Sequence, residues 1–245
     1  MFKKADQFRA LQRLVSMTSL SKSPSPIPPN GDPFRSLWRP LLAGSFVMAM
    51  VFVFLKLGSE VVEGETQGFD QHILRFAQAL REQYPILSDM MRDITGLGSV
   101  SVLTLFTVIT VVYLALFSSR RMAALVAVAM ISGTLLVSVF KAFFGRTRPD
   151  LTFAELAASG LSFPSGHASM SAIAYLTVGA LIAATHKRTG ERFYILLIAG
   201  FITLLVGLSR IALGVHWATD VIGGWAFGSA WAVLWLQLAK TFVKR

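Results

Sequence analysis

The chain has 245 residues, 54% of them hydrophobic and only 15% charged, with a mean hydropathy of +0.60. Soluble domains carry nearer a quarter charged residues, so the composition excludes an ordinary soluble domain and indicates a polytopic membrane protein. With no cysteine there is no disulfide, thiolate nucleophile or thiolate metal site, and the net charge of +10 does not argue for nucleic acid, because most Lys and Arg lie in tails and short loops between apolar runs.

In chain order, residues 1–39 read as a basic cytoplasmic tail and linker, and residues 40–245 as an all-α, six-span membrane domain. The start does not have the layout of a secretory signal. Phe8, Leu11, Leu14 and Val15 make a helical stripe beside Lys4, Arg9 and Arg13. The stripe fits a short amphipathic helix lying on anionic lipid; a frayed tail fits the same residues. Residues 16–33 are rich in Ser and Pro and read as a disordered linker.

Six apolar stretches follow: Leu41–Leu57, Leu97–Phe117, Met122–Phe144, His167–Thr185, Phe193–Leu213 and Val221–Ala239. Each approaches the roughly 20 residues that cross a bilayer as helix. Lys56, at the end of the first, can snorkel. Between the first two spans, Phe69, Ile73, Phe76, Ala77 and Leu80 repeat at helical spacing, and Met90, Met91 and Ile94 continue past Pro85. This predicts two short helices on the outer membrane surface or over the bundle, serving packing rather than chemistry. His72 there reads as a surface or capping residue.

Orientation follows from Lys and Arg near the spans. The tail, the loop with Arg120 and Arg121, the loop with Lys187, Arg188 and Arg192, and the C-terminus with Lys240, Lys244 and Arg245 all fall on one side. That side is expected to be cytoplasmic, with both termini on it. Residues 58–96, residues 145–166 and the turn after the fifth span fall on the other.

This topology gathers chemistry at one level of the outer face. Lys141 and Arg148 lie at the end of the third span, and Ser165, Gly166 and His167 at the start of the fourth. Ser209 and Arg210 lie in the last turns of the fifth, and His216 and Asp220 at the start of the sixth. Single charges at span ends are often interfacial anchors, the reading given to Lys56 and Arg92. Three cations, two histidines and a carboxylate converging is different. The cations and two helix N-termini make an oxyanion cradle, with arginine forks matched to phosphate. Two histidines suit a two-step displacement, one attacking phosphorus and the other protonating the departing oxygen. Asp220 follows His216 by four residues, which on a helix puts both on one face, so the carboxylate can fix the imidazole tautomer. This makes His216 the nucleophile and His167 the general acid, although spacing alone leaves the exchange of roles open. His, His and Asp are also common metal ligands, but three neighbouring cations disfavour a divalent ion, and no metal or other cofactor is expected.

At these residues the chain resembles the type 2 phosphatidic acid phosphatase superfamily. The family pattern is Lys, six residues, Arg-Pro; then Pro-Ser-Gly-His; then Ser-Arg, five residues, His, three residues, Asp. Lys141 to Arg148-Pro149, Pro164-Ser165-Gly166-His167, and Ser209-Arg210 to His216 to Asp220 match it at every position. The resemblance covers about residues 70–240. It implies a metal-free membrane phosphatase with a phosphohistidine intermediate on His216, Asp220 as its partner and His167 as the acid. It assigns phosphate binding to Lys141, Arg148, Ser165, Gly166 and Arg210, with Pro149, Pro164 and Ser209 in support. Arg146, outside the strict pattern, either widens the cationic mouth or, the preferred reading, faces lipid headgroups. Trp217 reads as an interfacial anchor. Ser169 and Ser171, with Ala168 and Ala172, read as positions of close helix packing.

The expected substrate is an amphiphile, because the site lies at membrane level. In a bacterial cytoplasmic membrane the resemblance implies undecaprenyl diphosphate or phosphatidylglycerophosphate, with lipid A 1-phosphate as a rival. A phosphotransferase would use the same intermediate and differ only in the acceptor. A non-catalytic transporter or scaffold would hold the cradle for no chemistry. Soluble vanadate-binding haloperoxidases share the motifs, but six spans argue against that reading.

Overall fold

A computed structural model describes residues 33–156 and 158–243. The amphipathic stripe at Phe8–Val15, the Ser/Pro linker up to residue 32, and Lys244 and Arg245 lie outside these residues. Among the described residues all regular structure is helical. The elements are α1 (Pro33–Glu63), α2 (Gln67–Gln83), α3 (Ile86–Gly96), α4 (Val100–Phe117), α5 (Arg120–Phe144), α6 (Gly166–Thr185), α7 (Thr189–Ala212) and α8 (Ala218–Val243). Helix α6 carries one π turn, Ala172–Leu176.

Among the described residues, six stretches are long and apolar enough to cross a membrane: Pro40–Glu63, Ile86–Phe117, Arg120–Phe144, Gly166–Thr185, Thr189–Ala212 and Ala218–Ala239. They coincide with the six expected spans, with differences at the edges. Helix α1 starts at Pro33, ahead of Leu41, because a proline in the first helical turn leaves no needed N–H unpaired. The second stretch takes in α3, whose axis is broken from α4 only by the Leu97–Ser99 turn. Side-chain caps mark the joints. Ser99 Oγ accepts from Val102 N, Ser119 Oγ from Met122 N, and Ser165 Oγ from Ala168 N. Gly145 closes α5 in the left-handed conformation, at φ 61°.

The chain divides into two units at Leu41/Leu42, and the second carries the site. Its core is aromatic. Phe163, fully buried in the loop before α6, stacks on Phe54 at 5.6 Å between ring centroids and meets Phe144 edge-on at 4.8 Å. Small residues bring α6 against α8. Ala168, Ser169, Ser171 and Ala172 are fully buried, as expected of packing positions. A Cβ on Gly224 would stand 2.9 Å from both the Ala168 Cβ and the Ser165 carbonyl. The outward faces of α4, α5 and α7 remain apolar and exposed (Leu105, Leu116, Phe143, Phe201), as lipid-facing helices require.

Candidate active site

The loop between α5 and α6 is folded back by two cations, one at the end of α5 and one of its own. Lys141 Nζ, in the last turn of α5, donates to the carbonyls of Leu161 (2.5 Å) and Ser162 (3.2 Å). Arg148 Nε donates to the Gly160 carbonyl at 3.1 Å, and its Nη1 to the Val215 carbonyl at 2.8 Å. Loop and α8 are joined by Ser165 N donating to the Asp220 carbonyl at 2.9 Å. Pro149 and Pro164 are buried here, the latter after a cis peptide bond from Phe163.

His216 sits in the turn before α8 and is 1% exposed. Its Nδ1 lies 3.2 Å from Asp220 Oδ2 and 3.3 Å from Ser162 Oγ. A carboxylate can only accept, so Nδ1 carries the proton. The Nε2 lone pair then faces Arg148 Nη1, 3.1 Å away. Asp220 does not reach His216 along one helical face, since His216 precedes the helix. Asp220 stands in the first turn of α8 and its Oδ2 accepts from Trp217 N at 2.9 Å, the back-reach of a capping box, which aims the carboxylate at the turn. Ser162 Oγ donates to the same oxygen. Burial pushes the imidazole down from its ordinary 6.5 to about 4, with Arg148 and Lys141 acting in the same direction and Asp220 against them. Burial also lowers the Arg148 guanidinium, a desolvated cation that an anionic ligand would compensate.

His167 and Gly166, at the start of α6, line a cavity of about 520 Å³ with Lys141 at the same end. From there the cavity runs between α4 and α5 along Leu103, Val108, Val111, Met130, Ile131 and Val137. Arg210, His216, Arg148 and Lys141 are all near enough to act on the His167 ring. Arg210 is 6% exposed; its Nη1 donates to Thr95 Oγ1 at 2.9 Å while its Nε has no partner among the described residues. The four sequence segments thus converge. Ser209 differs in its contact, since its hydroxyl donates back to the Val206 carbonyl within α7 and serves that helix.

Sequence reasoning missed a second layer of residues. Arg146 does not face headgroups: its side chain is 11% exposed and bridges two fully buried carboxylates, Asp70 at 2.6 Å and Asp220 Oδ1 at 2.8 Å. It also donates to Thr66 and Thr219 hydroxyls. Trp217 is anchored to the protein, with Nε1 on the Thr147 carbonyl at 3.0 Å and its ring 5.4 Å from the Arg146 guanidinium carbon. Arg92 pairs with Glu155 of the α5–α6 loop at 3.0 Å rather than standing as a lone anchor. Residues 58–96 therefore do more than pack, since Thr66, Asp70 and Thr95 hold site cations. The available signal was the i, i+4, i+7, i+11 set Asp70, Leu74, Ala77, Arg81, which is the buried face of α2. Among the described residues no group of three or more His, Asp and Glu stands where it could hold a metal ion.

A family model described as the PAP2 superfamily matches residues 122–244. Phosphatidylglycerophosphatase B of Bacillus subtilis (strain 168) is 33% identical over 190 residues, covering 74% of this chain and 88% of that protein. An undecaprenyl-diphosphatase of Sulfolobus acidocaldarius is 25% identical over 203 residues, covering 80% and 91%. Among solved structures, a transmembrane PAP2-type phosphatidylglycerolphosphate phosphatase from Bacillus subtilis superposes with a TM-score of 0.72 at 29% identity, over 80% of this chain and 96% of that one.

Proposed function

Because the chain belongs to the PAP2 superfamily, as an integral membrane lipid phosphatase, we propose that it hydrolyses the phosphate monoester of a membrane lipid of the phosphatidylglycerophosphate type through a phosphohistidine on His216. The observation that carries this reading is the orientation of His216: Nδ1 is committed to Asp220, and Nε2 is turned to the cationic cradle. The apolar cavity that leaves the cradle between α4 and α5 gives a lipid chain somewhere to lie while its headgroup sits among Lys141, Arg148 and Arg210. The two relatives covered over most of their length act, by their names, on lipid phosphates.

In the proposed reaction the Arg148 N–H now on Nε2 swings to a phosphate oxygen, freeing the lone pair. Nε2 bonds to phosphorus as the ester P–O bond breaks, and the departing lipid oxygen takes its proton from His167. Lys141, Arg148, Arg210 and the amides at Ser165–Gly166 neutralise the equatorial oxygens. A water then attacks phosphorus while His167 accepts its proton, the Nε2–P bond breaks, and orthophosphate leaves. His216 and His167 end as they began. No metal takes part. The proposed reaction runs at the extracytoplasmic face, a reading supported by Arg120, Arg121, Lys187, Arg188 and Arg192, which all lie at the opposite ends of the spans.

The test is orthophosphate release by detergent-purified protein from phosphatidylglycerophosphate, undecaprenyl diphosphate, phosphatidate and a lipid A bisphosphate, with EDTA throughout and a His216→Ala control. EDTA-resistant release, greatest with phosphatidylglycerophosphate and lost at least about a thousandfold in the variant, is the expected result. Release that survives His216→Ala contradicts the assignment, and preference for another lipid corrects the substrate. Transfer to an added lipid acceptor without free phosphate would make the protein a phosphotransferase.

A further inference from the structure

The carboxylate that orients His216 is itself part of a charged trio. Arg146 lies between Asp220 and Asp70, and both acids are fully buried. Asp70 comes from α2, outside the stretch matched by the family model. Both of its oxygens are engaged: Oδ1 accepts from Thr219 N at 2.9 Å, and Oδ2 from Thr219 Oγ1 at 2.7 Å and from Arg146. Thr219 stands beside Asp220 in the first turn of α8, so one carboxylate from α2 fixes both the turn that carries Asp220 and the guanidinium that grips it.

Charge matters more here than anchoring. Arg146 and Asp220 alone would form a neutral pair, which offers little to a cation. Adding Asp70 returns the buried trio to a net charge of −1. When Nε2 of His216 bonds to phosphorus, the ring becomes cationic while its Nδ1–H still points at Asp220, in surroundings where Coulomb interactions are poorly screened. Facing His216 from the other elements are Lys141 on α5 and Arg148 in the loop, with His167 on α6 beyond them, and Arg210 on α7 acts in turn on His167. The cations disfavour a second positive charge. The trio is the negative counterweight within this shell.

We propose that Asp70, acting through Arg146, is a positioning residue for phosphoryl transfer that keeps the carboxylate cluster behind His216 at net charge −1 and so stabilises the phosphorylated, cationic imidazole. This rests on the phosphohistidine reading above. A cluster that favours the intermediate speeds its formation but not its breakdown, where the imidazole loses its charge. Loss of Asp70 therefore acts unequally on the two half-reactions, whereas a merely structural loss slows both.

The experiment is rapid-quench measurement of phosphoenzyme formation and breakdown with ³²P-labelled phosphatidylglycerophosphate, on wild type, Asp70→Asn, and the double variant Asp70→Asn/Arg146→Gln. Asp70→Asn should slow formation about 10- to 100-fold, leave breakdown as fast or faster, and change KM by less than about twofold. The double variant again leaves Asp220 as a net −1 and should form phosphoenzyme faster than the single one. Equal slowing of both steps, or a double variant worse than the single, overturns the proposal. If Asp70→Asn does not fold, the double variant decides alone: formation within about tenfold of wild type supports the charge count, and a larger loss refutes it. Absence of any phosphoenzyme in wild type would instead overturn the mechanism on which the proposal rests.

Discussion

At the scale of single residues, His216 is defined by what surrounds its two nitrogens. Its surroundings lower its proton affinity to about 4, through burial first and then Arg148 and Lys141, with Asp220 opposing. The sign has two consequences. A folded value below the ordinary 6.5 means that the unfolded chain takes up the proton first, so the contribution of this group to stability falls as pH drops from about 6.5 toward 4. For the proposed reaction, the neutral imidazole needed for attack persists to the same acid limit. The acid limb of kcat/KM, which reports the free enzyme, should therefore lie near pH 4 once corrected for ionisation of the substrate phosphate. A limb at 6.5 in the wild type would contradict it. The motif residues were legible in the sequence because fixed spacings carried them. Arg146 and Asp70 were not, because neither belongs to the motif and their partners lie far away in sequence.

At the scale of elements, hydropathy located the spans well but left open which face of α2 turns inward. Phe69 and Phe76, taken as the organising stripe, are 51% and 59% exposed, while Asp70 and Arg81 are buried. In water an amphipathic helix turns its apolar face in; at a membrane surface, against a polar site, the same helix can present its apolar residues outward and its ionic ones to the protein. Arg81 illustrates the inward role, donating to the carbonyls of Ala212 and Phe153 and so closing the end of α7 against the α5–α6 loop. The turn that follows depends on Gly214, at φ 69°, whose missing Cβ admits the Phe153 carbonyl. Gly214→Ala should displace the Val215–His216 segment and lower kcat/KM by at least about tenfold in protein that still extracts and elutes as wild type. Unchanged kinetics would show that this turn does not position His216.

At the scale of the whole molecule, six spans bring the ends of α5 and α7 together with the starts of α6 and α8, and this was legible from span count and loop charges alone. Sidedness can be tested by single-cysteine labelling, because the chain has no cysteine of its own. Asp150 and Lys187 are both exposed, one in the α5–α6 loop and one between α6 and α7. In intact cells a membrane-impermeant maleimide should label Asp150→Cys and should reach Lys187→Cys only after permeabilisation. The reverse pattern would put the site on the cytoplasmic face.

The most direct measurement is the chemical identity of the trapped phosphoenzyme. Protein quenched in alkali during turnover of labelled phosphatidylglycerophosphate would be digested and the phosphorylated residue identified. With Nδ1 held by Asp220 and Ser162 and Nε2 facing Arg148, the account predicts phosphate on the Nε2 nitrogen of His216, labile to acid and stable to base. Phosphate on Nδ1, phosphate on His167, or turnover with no labelled histidine at any quench time would contradict it.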